Sequence, residues 1–164
     1  MKKILFILSA VTLLLVCCEE IKFYAETPEV KFKEFRYNDT TLVFDFIDGD
    51  GDLGLYQSDT VGPFHSDSAY YRNLFITYYG YENTVFSEIE LKSSPDLRFE
   101  RIPTPEGNNK TIKGFVEVRL NNSLPLEMPD TFMIKFYIVD RALHESNKDS
   151  SGLLTFDELL KSNF

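Results

Sequence analysis

In the run Thr131-Phe132-Met133-Ile134-Lys135-Phe136-Tyr137-Ile138, large apolar residues fall on every second position. Phe132, Ile134, Phe136 and Ile138 share one parity, and Met133, Lys135 and Tyr137 share the other. A helix repeats every 3.6 residues and cannot collect such a set on one face. An extended strand, with its period of two, can. The rhythm recurs along the chain. Residues 30–37, 41–47, 71–79, 84–92, 97–102, 113–120 and 131–140 are rich in β-branched and aromatic residues. Turn formers such as Asn38-Asp39, Gly107-Asn108-Asn109 and Pro129-Asp130 separate them. In the first run Val30, Phe32 and Phe35 are the inward candidates. The pattern predicts an all-β fold: an antiparallel β-sandwich of about seven strands in a single domain over 30–164. The chain has no Trp, and its two cysteines stand together at Cys17 and Cys18, so an antibody-type Cys–Trp–Cys core is excluded. A short C-terminal tail ends the chain. There Thr155 as N-cap with Glu158 three residues on predicts a brief helix over 155–163.

The second run leads into Phe46-Ile47-Asp48-Gly49-Asp50-Gly51-Asp52-Leu53-Gly54. Three carboxylates separated by single glycines repel one another unless a cation neutralises them. Glycine lets the backbone curl so that the oxygens turn inward. Alternating acids are how calcium loops deliver several hard oxygen ligands from one turn, so calcium is the cofactor this spacing points to. The fit to an EF-hand is partial. Counting Asp48 as position one, Leu53 holds the position of the turn glycine and Asp59 that of the usual Glu. The entering element is a strand, not a helix. The candidate metal ligands are therefore Asp48, Asp50, Asp52 and Asp59, on a β-scaffold. A solvated Asp/Gly turn uses the same residues. The connection over 49–69 is long for a sandwich and also carries His65 and Asp67, although calcium prefers oxygen to imidazole. The tail repeats part of the template, with Asn147 at one, Gly152 at six and Glu158 at twelve. Strand-end structure is the simpler account of it, with Asp140-Arg141 as a pair closing the last strand.

The phrase over 46–54 resembles the F-x-D-G-D-G-D-[IL]-G motif of small Bacteroidetes surface lipoproteins. Asp140-Arg141-Ala142-Leu143-His144-Glu145-Ser146-Asn147 resembles their later DRA-x-H-x-SN strand end. The resemblance implies an immunoglobulin-like sandwich on the cell surface and implies no activity.

Residues 1–17 read as a lipoprotein signal peptide. Lys2 and Lys3 precede an apolar run from Ile4 to Val16. That run falls short of the roughly 20 residues a bilayer span needs, but it matches a secretory core. In Leu14-Leu15-Val16-Cys17-Cys18, taking Leu15 at −3 makes Cys18 the lipidation site. Taking Leu14 leaves bulky Val16 beside Cys17, the alternative acceptor. Residues 18–29 form a tether, and Glu19-Glu20 resemble a surface-export signal. The expected location is the outer membrane at the cell surface, with the lipid anchor as the membrane contact. Cleavage before Cys18 removes Lys2 and Lys3 and no acid, taking the formal net charge from −9 to −11. Such a surface does not suit nucleic acid.

Three functions fit. The first is a non-enzymatic binding or adhesion module, lipid-anchored and calcium-stabilised. The second is a glycan-binding accessory lipoprotein of a polysaccharide-uptake complex, for which the tyrosines at 70, 71, 78, 79 and 81 are the candidate surface. A surface protein is the other candidate partner. The third is an extracellular hydrolase. Against it, the sequence has no Gly-x-Ser-x-Gly and no His-Glu-x-x-His, and its only histidines are His65 and His144.

Overall fold

The computed structural model describes residues 22–91, 93–120 and 129–162. The leader (1–17), Cys18, Cys17 and the first part of the tether lie outside them. Among the described residues the fold is nearly all β, with eight strands in two antiparallel sheets and one short helix. The first sheet has the order β1 (Glu29–Arg36), β2 (Thr41–Asp48), β5 (Ile112–Arg119). The second has β4 (Val85–Glu88), β3 (Leu74–Glu82), β6 (Thr131–Ile138) and β7 (Asp149–Ser150), with β8 (Leu154–Thr155) also pairing β6. Helix α1 (Phe156–Ser162) follows β8, in the place the tail pattern predicts.

Alternation sets both inner faces. Leu42, Phe44 and Phe46 of β2 are buried, as are Phe132, Ile134, Phe136 and Ile138 of β6. The rings of Phe44 and Phe136 meet across the sheets at 4.8 Å between centroids. Burial of these stripes is the main favourable term in folding. Val30, Phe32 and Phe35 all pack toward this core although the last step is odd-numbered. The pairing of β1 with β2 slips between Phe32 and Glu34, and this bulge at Lys33 restores the inward face one residue later.

Three strand expectations need correction. Residues 71–79 begin pairing only at Leu74, because residues 69–71 form a 3₁₀ turn. The fourth strand stops at Glu88, not at residue 92. Ile89 donates to the Tyr78 carbonyl at 2.8 Å, but the Asp96 carboxylate takes the Ile76 N–H at 2.9 Å, where a longer strand would pair. Residues 97–102 form no strand. Leu97 bridges Leu74 and Glu100 bridges Leu55, so the segment crosses between neighbours and runs beside neither. In its place the tail supplies two-residue β7 and β8.

Candidate metal centre

The inward parity of β2 does not stop at Phe46. The next inward position is Asp48, which is fully buried. The inward parity of β6 likewise continues past Ile138 to Asp140, which is 1% exposed. Each apolar stripe therefore ends in an aspartate, and the two stripes end at the same end of the sandwich. Asp48, Asp140 and Asp52 each place a carboxylate oxygen within 4.8 Å of the other two. Asp50 stands beside this group and presses electrostatically on both Asp48 and Asp52.

The protein's own donors only partly satisfy these oxygens. Asp48 Oδ2 accepts the Asp52 N–H at 2.9 Å, closing the loop on itself. Asp140 Oδ1 accepts the His144 N–H at 2.8 Å, and His144 Nδ1 lies 3.0 Å from Asp140 Oδ2. The N–H groups of Arg141 and Ala142 are directed at Asp52. Asp48 Oδ1, Asp50 Oδ1 and Asp52 Oδ1 are buried and without a hydrogen-bond partner. Buried polar atoms are rarely left so, because each costs about 1–3 kcal/mol. Burial first, then the neighbouring Asp50, pushes Asp48 up to about 7. Burial and Asp50 also raise Asp52; burial and Asp52 raise Asp140. The His144 pKa is raised in turn by the Asp140 carboxylate. Such a cluster either holds protons or holds a cation.

The loop's path is fixed from outside. Arg101 donates to the carbonyls of Leu53 at 2.6 Å and Gly51 at 2.8 Å, and Thr104 Oγ1 donates to the Gly51 carbonyl at 2.6 Å. Gly51 has φ +68°, and a Cβ there would lie 2.1 Å from the Lys110 carbonyl oxygen, so only glycine fits. Thr111 Oγ1 holds the Gly49 carbonyl at 3.3 Å.

Asp48 and Asp52 thus come together with an acid that the sequence reading assigned to strand closure. Asp140 does not pair with Arg141. Arg141 reaches across to Asp59, whose Oδ2 also accepts the Tyr56 N–H at 2.8 Å. That ion pair occupies Asp59, which is not among the three mutually close carboxylates. His65 is exposed and sits 3.8 Å from Asp67 within the long connection. The signal that could have found Asp140 is its parity with Ile138. In the tail, Asn147 Oδ1 accepts the Val30 N–H and its Nδ2 donates to the Val30 carbonyl, both at 2.8 Å. Asp149 Oδ2 accepts the Phe32 N–H at 2.5 Å. These oxygens join β7 to β1 across the sandwich edge.

No protein-family model, curated protein or solved structure matches the chain.

Proposed function

We propose that this protein is a lipid-anchored, non-enzymatic cell-surface module of immunoglobulin-like type. In this reading a calcium ion between Asp48, Asp52 and Asp140, with Asp50 beside them, locks one end of its sandwich. The carrying observation is the fully buried Asp48 with one carboxylate oxygen unpartnered among other acids. An oxygen-only ligand set suits a hard cation. Calcium–oxygen distances of 2.3–2.6 Å across an ion span about the separation these carboxylates have. Waters complete the shell. The cation's role is structural: it neutralises charge where the two sheets converge. Calorimetric titration with calcium is the test, with Asp48→Asn as control. A wild type that takes up no calcium would end this reading.

A second reading rests on the outer face of the second sheet. The rings of Phe75 and Tyr137 stack at 4.8 Å and 11°, and Tyr70 meets Phe75 edge-on at 6.5 Å. All three are half-buried. Such a row supports the glycan-binding accessory role, since flat aromatic faces receive sugar rings. Retardation of the protein in glycan-loaded gels, lost in Tyr137→Ala, would support it. Equal mobility on every glycan would remove it.

A further inference from the structure

The sheet edges are finished in different ways. Along β1 the tail covers the edge, where Asn147 takes the Val30 N–H and Asp149 the Phe32 N–H. The second sheet ends in β4, with four residues, and in β7 and β8, with two each. The first sheet ends in β5, which has eight residues, and among the described residues no strand pairs its far side. A long open edge without proline is a template for another strand.

The ladder decides which residues face that edge. Leu120 donates to the Thr40 carbonyl at 3.0 Å, and β5 pairs with β2 in one unbroken register from there. Even-numbered residues of β5 therefore turn their N–H and C=O toward β2, while Lys113, Phe115 and Glu117 turn theirs to the open edge. The Thr111 N–H is taken by Asn109 Oδ1 at 3.1 Å, which closes the edge just before Lys113. Ile112 and Val118 point into the core, so the side chains of Lys113, Phe115 and Glu117 stand on the outer face. Phe115 is 57% exposed even with Lys33 Nζ 4.8 Å from its ring centroid.

We propose that this edge pairs antiparallel with the same edge of a second copy, about a two-fold axis at Phe115. Main-chain hydrogen bonds across the edge require odd residues opposite odd residues. An axis at Phe115 sets Phe115 against Phe115 and, on each side of it, Lys113 against Glu117. An axis at Gly114 sets Lys113 against Phe115, and one at Val116 sets Lys113 against Arg119. Aromatic pairs and opposite charges directly across a ladder are favourable, and like charges are not. Arg36 Nη2 lies 2.9 Å from Glu117 Oε2, which leaves the other oxygen to the lysine of the second copy. The pairing joins two three-stranded sheets into one. The contact is small, so the association is weak and reversible, with a midpoint at micromolar concentration.

The test is sedimentation equilibrium of the full chain in density-matched detergent over a dilution series. Wild type is expected to pass from dimer to monomer as it is diluted through the micromolar range. Lys113→Glu sets acid against acid in both charge pairs, and Glu117→Lys sets lysine against lysine. Each variant alone is expected to dissociate about tenfold more readily. Mixed in equal amounts, the two restore both opposite-charge pairs. The mixture is expected to associate as wild type does, which also shows that both variants are folded. Directly opposed residues in a hydrogen-bonded pair have Cα atoms about 5.5 Å apart, within disulfide range. Phe115→Cys is therefore expected to give, under mild oxidation, a dimer joined at position 115, identified by mass spectrometry. A wild type that is monomeric at every concentration would overturn the proposal. So would a dimer indifferent to Lys113→Glu and Glu117→Lys, a Phe115→Cys chain that forms no such link, or Phe86→Cys, exposed on β4, linking as readily.

Discussion

The aspartate loop and the tail loop are both short, acidic and glycine-bearing, and each fits part of one calcium template. They differ in where their oxygens go. In the tail, Asn147 and Asp149 face backbone N–H groups of β1, and Ser146 and Ser151 accept the N–H groups of Ile138 and Ile134 at 3.0 Å. Side chains there do the work of a strand that is too short to pair by itself. In the aspartate loop the oxygens face one another, and three of them find no donor. Composition and spacing do not separate the two cases. The donors supplied by the opposite sheet do, and they convert one acidic loop into a seam and leave the other with carboxylates that face one another.

The comparison is sharpest in the presence of calcium. A hundredfold excess over the dissociation constant stabilises the folded state by about 2.7 kcal/mol, or roughly 5–10 °C in Tm for a domain of this size. Asp48→Asn and Asp50→Ala are expected to lose most of that shift in a thermal melt. Equal shifts in Asp48→Asn and wild type would make the aspartate loop a second seam.

A tail substitution should behave in the opposite way. Asp149→Ala strands the Phe32 N–H, and the expected cost is about 1–3 kcal/mol in urea unfolding, the same with calcium as with chelator. A cost that vanished in chelator would mean that the tail, too, serves a cation.

Acidity separates the loops next. Asp48, Asp52 and Asp140 all have raised pKa values when no cation is bound. Between about pH 4 and pH 7 the folded chain therefore holds protons that the unfolded chain releases. In chelator, stability is expected to fall as pH rises through that window, and His144, also raised, contributes with the same sign. The gain from calcium runs the other way and is lost as pH falls below about 7, where protons displace the ion. A shift of a few degrees in Tm across the window would register both trends. Asp149→Ala should leave them in place, and a flat chelator profile in wild type would contradict the raised values.

The smallest effect belongs to Glu158, an exposed residue at the start of α1. Glu158→Ala is expected to change stability by only about 0.5 kcal/mol and to keep the full calcium shift. Loss of that shift would return the tail to the metal's account.

Much of the scaffold was legible in the residues. Period-two patterning placed β1, β2, β5 and β6 to within a residue or two, because β1, β2 and β6 turn large apolar side chains inward and β5 adds Ile112 and Val118. It failed at residues 97–102, where Leu97 and Phe99 are apolar enough for a strand. Their partners are different elements, however, and Arg98 is drawn to the carbonyls of Tyr71, Tyr56 and Asp59. The aspartates at 48, 50 and 52 stood out by spacing. Asp140 did not, since nothing local marks it, yet its parity with Ile138 is in the sequence. What no local pattern could supply is that the ends of β2 and β6 converge. That depends on how two sheets face each other, and it also decides why Asp59 joins Arg141 and not the acids.

Arg101 has a consequence for time as well as for energy. By gripping the carbonyls of Gly51 and Leu53, it fixes the loop's shape with protein groups alone. A site shaped in advance has little rearrangement to wait for. On the calcium reading proposed above, capture of the ion would then proceed at the pace at which it sheds water. Differences in affinity, between ions or between variants, would on that reading show up in how long the ion stays.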